Sequence, residues 1–284
     1  MLGSWFWVLG SWFWVLGSWF WVLGSWFWVL GPDCLSSTNT PWAADGWMNA
    51  TREPSAYIMG RREFWGLTLE VSPAVLIPRP ETELIVEAAL DVFGSRRDAP
   101  LDVADACTGS GNLAIALALE LRSASIVATD ISDHALGVAR RNAARHGVTD
   151  RIRFVCADLL NGIDGPFDLI VANPPYVQQR ARPVLAPEVR DHEPSVALFG
   201  GDIGIELVAT VVEQSATRLG HGGYLIFEFG LGQDVEVEEL IAATPGLTMI
   251  GLRRDLQDIA RTAVARKTEH LKLQAPSSKL RAES

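Results

Sequence analysis

The sequence predicts an α/β domain, a mainly parallel sheet of seven strands with helices on both faces, preceded by a β-hairpin. Three observations predict it. From Leu101 onward, short apolar runs alternate with helical segments. Several of those runs are near-continuous in apolar residues, as strands buried on both faces are. The turn-forming motifs fall at the carboxyl ends of the runs, where open α/β sheets bind their ligands.

The elements follow in order. Residues 1–31 carry no charge, and the heptapeptide SWFWVLG at Ser4 recurs unchanged at Ser11, Ser18 and Ser25. Its length and apolarity would permit a membrane span. But Trp prefers the interface and here falls throughout, and a heptad apolar on every side is no soluble coiled coil. No basic region precedes it and no small-residue cleavage site follows. It reads as a repeat expansion or a misassigned start, outside the fold; a membrane-associated or aggregation-prone segment stays open. Residues 32–51 have linker composition, and 32–78 read as the remnant of a substrate-binding region with the hairpin at its end.

Arg62 to Val71 alternates around Gly66, which predicts the hairpin. In Ile77-Pro-Arg-Pro-Glu-Thr-Glu83 the prolines forbid helix until Pro80, which suits a first helical turn, and a helix then runs to about Phe93. Residues 79–268 form the main domain. Strands are predicted at Leu101–Ala106, Ser125–Thr129, Ile152–Cys156, Phe167–Ala172, Gly223–Phe229, Leu247–Leu252 and Ile259–Ala265. Helices are predicted at Asn112–Leu121, Ser132–His146 with Ser132 as N-cap, Ile203–Arg218 and Asp234–Ala243. The polar tail from Glu269 is expected to fray.

Four strand-end signals carry chemistry. Asn173-Pro-Pro-Tyr176 suits holding a planar NH2 group. An Asn oxygen and a backbone carbonyl can accept its two hydrogens, and prolines without N–H groups can keep that carbonyl out of a sheet. Tyr176 adds a flat wall with a polar tip. Taken alone, the tetrapeptide could also be a plain strand-to-loop exit.

Asp105-Ala-Cys-Thr-Gly-Ser-Gly111 is a glycine loop opening a helix. Gly109 and Gly111 allow a tight turn and close approach to a ligand, and the helix N-terminus offers free N–H groups. The spacing to Ala114 also satisfies the dinucleotide fingerprint, so NAD is a rival. Asp105 argues against a pyrophosphate and for a ligand with ammonium and sulfonium groups, S-adenosylmethionine. Asp130 can accept ribose hydroxyls under either cofactor, and Asp158 can meet an adenine amino group. Either acid alone could be an ordinary turn residue. The four together, in this order, point to a Rossmann-like S-adenosylmethionine-dependent methyltransferase.

Composition sets the bounds. The chain has 284 residues, is 48% hydrophobic and carries a net charge of −10. That is enough for one medium domain plus an appendage, and the acidity argues against a general nucleic-acid binder. Cys34, Cys107 and Cys156 are scattered, so neither zinc nor a disulfide framework is indicated and a reducing cytoplasm fits. No metal is expected.

Arg52-Glu-Pro, Tyr57-Ile-Met-Gly-Arg-Arg-Glu-Phe-Trp-Gly-Leu67, Ile77-Pro-Arg-Pro-Glu-Thr-Glu83, Thr108-Gly-Ser-Gly111, Asn173-Pro-Pro-Tyr176, and Glu193-Pro with Ala197-Leu and Gly200-Gly201 resemble the release-factor glutamine N5-methyltransferase family, from about Arg52 to Arg266. The resemblance implies S-adenosylmethionine as cofactor. It implies methylation of the Gln side chain in the Gly-Gly-Gln loop of class 1 peptide-chain release factors. Asp105, Thr108, Gly109 and Gly111 would cradle the methionine end, Asp130 the ribose, and Asp158 and Leu159 would lie near the adenine. Asn173, which also borders the cofactor, and the Pro174 carbonyl would hold the glutamine amide, with Pro175 and Tyr176 packing beside it. Arg79, Glu81 and Thr82 would shape the entrance near the cofactor or else only brace the hairpin on the sheet, and Glu228 would face the site. A monomer without stable nucleic-acid binding is expected. The alternatives are another NH2 acceptor, in ribosomal protein or nucleic acid, or a cofactor binder inactive through loss of its substrate domain. Three departures stand out. Cys107 takes a usual glycine position, Leu159 replaces an aromatic, and the tryptophan repeat stands where the family has a helical N-terminal domain.

Overall fold

The computed structural model describes residues 52–268 and, before them, the backbone of four short strands. The chain divides into two units, Met1–Thr51 and Arg52–Ser284. In the first, β1 (Phe6–Val8) pairs antiparallel with β2 (Ser11–Phe13), and β3 (Trp19–Val22) with β4 (Ser25–Trp28). The expected linker, 32–51, and the tail from Glu269 lie outside the described residues.

The second unit opens with a five-residue helix, α1 (Ser55–Met59), that sequence periodicity is too short to reveal. It ends at Gly60 in the left-handed conformation, the usual helix stop. The hairpin follows as β5 (Arg61–Phe64) and β6 (Leu67–Glu70). Trp65 and Gly66 both have positive φ, 53° and 68°, the requirement of a tight type I′ turn. A tryptophan there is strained. It is held by two distant carboxylates: its N–H donates to Glu83 at 2.7 Å and its indole N–H to Glu120 at 2.9 Å. A 3₁₀ turn over Pro80–Thr82 then leads into α2 (Glu83–Phe93), as the proline spacing predicts.

The main sheet comprises β7 (Leu101–Ala106), β8 (Ala124–Asp130), β9 (Ile152–Cys156), β10 (Phe167–Ala172), β13 (Leu219–Glu228), β14 (Leu247–Arg254) and β15 (Ala260–Lys267). Between β10 and β13 lies a small parallel pair, β11 (Val177–Gln178) and β12 (Phe199–Gly201). The order across the sheet is β14-β15-β13-β10-β7-β8-β9, with only β15 antiparallel to its neighbours. The helices are α3 (Asn112–Glu120), α4 (Asp133–Arg145), α5 (Pro187–His192), α6 (Glu206–Arg218) and α7 (Asp234–Ala243). Ser132 caps α4 by accepting from the Ala135 N–H at 3.2 Å.

Side chains alternate across the sheet into two cores. Val103, Leu169 and Val171 point into the core shared with Ile85, Ile115 and Leu117. Ala104, Ile170 and Phe227 point into the core shared with Val208, Val212 and Val237. Two boundaries differ from the sequence expectation by more than two residues. Strand β13 begins at Leu219, not Gly223, because Leu219 pairs with Phe167 across a bulge. Helix α6 begins at Glu206, not Ile203, because Gly204 stands at φ 82°.

Asn142 of α4 ties the hairpin to the sheet domain. Fully buried, it accepts from the Glu70 N–H at 2.7 Å and donates to the carbonyls of Glu70 and Ser110, both at 2.9 Å. Chain order reverses between β7 and β10, which lie side by side. That switch point is where a doubly wound sheet opens a crevice.

Candidate active site

Ala106 and Ala172 are paired neighbours at the ends of β7 and β10. The glycine loop after one strand and the Asn-Pro-Pro-Tyr turn after the other therefore emerge side by side. Two cavities open there. The larger, about 970 Å³ with its mouth, is lined by the loop 107–110, the ends of β8 and β9, and the segment 74–79. The smaller, about 500 Å³ with its mouth, is lined by Pro174, Pro175, Tyr176, Leu185 and Val189 among others. Asn173, Pro175 and Arg79 border both.

The loop around the larger cavity is held by its own backbone. Cys107 and Gly109 have φ 62° and 54°, and Gly111 has 82°. A Cβ on Gly109 would meet open space, whereas on Gly111 it would press on Ala139 at 3.1 Å. Gly109 thus faces the cavity, and Gly111 serves helix packing without lining it. Asp105 does not line it either. It is fully buried beneath the loop and accepts from the Thr108 hydroxyl at 2.6 Å and the Ala114 N–H at 3.1 Å. Its other oxygen has no partner. Burial, opposed by those two bonds, pushes its pKa up to about 7. Cys107 does line the cavity, and burial with the nearby charges of Asp130, Asp105 and Asp158 raises its thiol pKa.

Asp130 closes β8 and lines the cavity, accepting from the N–H groups of Gly109 and Ser132, each at 2.9 Å. Burial raises its pKa despite these bonds. Asp158 and Leu159 line the same wall, Leu159 in left-handed backbone with its carbonyl accepting from the Thr129 hydroxyl at 2.7 Å. Ile131, which sequence reasoning missed, also lines it while 57% exposed. An apolar residue directly after a strand-end acid was the signal. Ser110 borders the cavity, and its hydroxyl is buried and unpartnered.

The second motif is held by distant side chains. The Asn173 amide donates to the Thr82 hydroxyl at 3.0 Å, Thr82 donates to Glu228 at 2.6 Å, and the Tyr176 hydroxyl donates to Glu228 at 2.8 Å. Tyr176 therefore turns its polar tip inward and offers ring to the smaller cavity. Burial, then the Glu228 charge, raises its pKa. Arg79 pairs with buried Glu193 at 2.5 Å, and the Glu193 carboxylate also accepts from the Ile77 N–H at 3.3 Å. This pair clamps the Ile-Pro-Arg-Pro strap against the segment after the turn. Gly200 is dictated by the turn itself, since a Cβ there would come within 2.3 Å of the Pro175 carbonyl oxygen. Glu81 lines neither cavity; its charge reaches Glu228. No group of metal-ligating residues occurs among the described residues, nor is any helix there long and apolar enough to cross a membrane.

A seven-stranded, mainly parallel sheet with a glycine loop, a strand-end acid and an Asn-Pro-Pro-Tyr turn at its switch point defines a Rossmann-like methyltransferase. Consistently, residues 87–189 match the family model described as methyltransferase small domain. A solved ribosomal protein L11 methylase from Lactobacillus delbrueckii is similar with TM-score 0.50 and 26% identity, over 67% of this chain and 81% of that one. The release factor glutamine methyltransferase of Bradyrhizobium diazoefficiens is 44% identical over 216 residues, 76% of this chain and 73% of the relative. That of Nitratidesulfovibrio vulgaris is 42% identical over 223 residues, 77% and 74% respectively. The chain belongs to the release factor glutamine methyltransferase family.

Proposed function

We propose that this protein moves a methyl group from S-adenosylmethionine to the side-chain amide nitrogen of the glutamine in the Gly-Gly-Gln motif of class 1 peptide-chain release factors. One observation carries the reading: Asn173 stands on the border of both cavities, with its side-chain NH2 already engaged by Thr82. Its oxygen is the acceptor that an incoming amide needs.

The larger cavity fits the cofactor by its chemistry. Its ionisable lining includes the carboxylates of Asp130 and Asp158, with Arg79 at the border already paired to Glu193. Two acids would repel a pyrophosphate and suit a cationic ligand. Asp130 would take the ribose hydroxyls, Ile131 and Leu159 would flank the purine, and Asp158 would lie near its amino group. Gly109 and Ser110 would meet the methionine end, with Asp105 and Thr108 bracing the loop and Gly111 its helix. When bound, the cofactor supplies an electrophilic methyl group on a sulfonium.

The protein's own residues do the rest. An amide nitrogen is a poor nucleophile because its lone pair is delocalised. Asn173 and the Pro174 carbonyl accept its two hydrogens and aim it, while Pro175 and the Tyr176 ring exclude water. These bonds strengthen as positive charge develops on nitrogen. Positioning supplies most of the rate, since juxtaposition alone can lower a barrier by ~7–11 kcal/mol. No base is needed beforehand, because the methylated nitrogen is acidic and sheds its proton afterwards. The acidic chain, at net charge −10, fits a cytoplasmic monomer without stable nucleic-acid binding.

Mass spectrometry of a purified class 1 release factor, incubated with this protein and the cofactor, tests the reading. One added methyl on the Gly-Gly-Gln glutamine is expected. An unmodified factor alongside a methylated ribosomal protein or DNA would reassign the substrate.

A further inference from the structure

Glu228 ends β13 at 1% exposure, and both its oxygens are taken, one by the Thr82 hydroxyl and one by the Tyr176 hydroxyl. An ionised carboxylate only accepts. Thr82 has a single proton and directs it at Glu228, so its oxygen has only lone pairs left. The group approaching it from Asn173 at 3.0 Å must then be the NH2, not the carbonyl. Two residues far apart in sequence, Thr82 and Glu228, thereby decide which way one amide faces.

We propose that Glu228 and Thr82 are positioning residues that lock the Asn173 carboxamide with its oxygen turned to the substrate amide. The inference rests on the function proposed above and deepens it. A protonated Glu228 could donate to Thr82. The freed Thr82 proton would then attract the Asn173 oxygen and turn the NH2 outward, toward substrate hydrogens it cannot accept. Around Glu228 stand Thr82 and Tyr176 as donors, with Glu81 favouring protonation and Arg261 opposing it. Burial raises the Glu228 pKa, so the misfacing state grows as pH falls.

The test pairs turnover with a readout that needs no substrate. Thr82→Val keeps the shape and removes the hydroxyl; Thr82→Ser restores it. We expect Thr82→Val to lower kcat by roughly 10- to 100-fold, the scale of a modest misplacement, with cofactor Kd within about twofold of wild type. Thr82→Ser should recover most of the loss. Glu228→Gln should lower kcat and flatten the acidic limb of its pH profile. In protein labelled with ¹⁵N-asparagine, the Asn173 side-chain amide should be shielded from hydrogen exchange in wild type and lose that shielding in Thr82→Val. Wild-type kcat in Thr82→Val, or a Thr82→Ser variant as impaired as Thr82→Val, would overturn the relay. Were the wild-type protein to leave release factor unmethylated, the functional reading would fall. The exchange arm would still decide the relay, with unchanged shielding counting against it and lost shielding for it.

Discussion

The two halves of the site are built in opposite ways. Around the glycine loop, the deciding contacts are short in sequence: Thr108 to Asp105 spans three residues, Ala114 to Asp105 nine, Gly109 to Asp130 twenty-one. Around the Asn-Pro-Pro-Tyr turn they are long: Asn173 to Thr82 spans 91 residues, Arg79 to Glu193 114, Thr82 to Glu228 146. A loop fixed by its own backbone can be read locally and can survive changes elsewhere. A turn fixed by distant side chains depends on the strap, strand β13 and the segment after the turn together.

That contrast is breakable. Asn173→Ala should lower methyl transfer by about 10²–10³-fold, the scale of losing one preorganised polar group, while calorimetric cofactor affinity stays nearly unchanged. The mirror variant, Asp130→Asn, should weaken cofactor binding by about 1.5–3 kcal/mol, as when a charged acceptor is lost. Equal loss of binding and transfer in Asn173→Ala would mean that the halves are not separable.

A pH dependence sharpens the comparison on the cofactor side. The Asp105 pKa is raised from near 4 in the unfolded chain to about 7 in the fold. Between those values the native state holds a proton that the unfolded state has released. Its contribution to stability is therefore lost as pH rises through that window. Asp105→Asn should flatten the trend, so the difference in melting temperature from wild type should move in the variant's favour between pH 5 and pH 8. A constant difference would show that Asp105 ionises freely.

The smallest effect concerns Cys107. At φ 62° a non-glycine residue carries strain of about 1–2 kcal/mol, but glycine loses more chain entropy on folding. Cys107→Gly should therefore gain no more than about 1 kcal/mol of stability in denaturant titrations.

What could be read from the sequence follows the same division. The strands Leu101–Ala106, Ile152–Cys156 and Phe167–Ala172 match residue for residue, because near-continuous apolar runs bounded by turn residues leave little freedom. Asp130, Asp158 and Asn173 were legible because the topology sends strand ends to one crevice. Asp105, Gly111 and Glu81 have the right neighbourhood but line neither cavity, since a motif's spacing does not say which of its members face inward. The relay through Thr82 and Glu228 left only a trace, because no local pattern records a bond across 146 residues. Helix α5 and the β11–β12 pair escaped altogether; both are too short for a hydrophobic period to repeat.

The anchoring of the hairpin bears on how short a working fragment can be. Asn142 grips both the β6 backbone and the Ser110 carbonyl, and Tyr57, Val71, Val75 and Ile77 pack on Ala135 and Val138 of the same helix. Trimming the chain to its sheet alone would strip two bonding partners, the Glu70 N–H and carbonyl, from a buried side chain and bare an apolar face beside the glycine loop. An expression boundary set after Thr51 keeps that buttress; one set at the first parallel strand removes it.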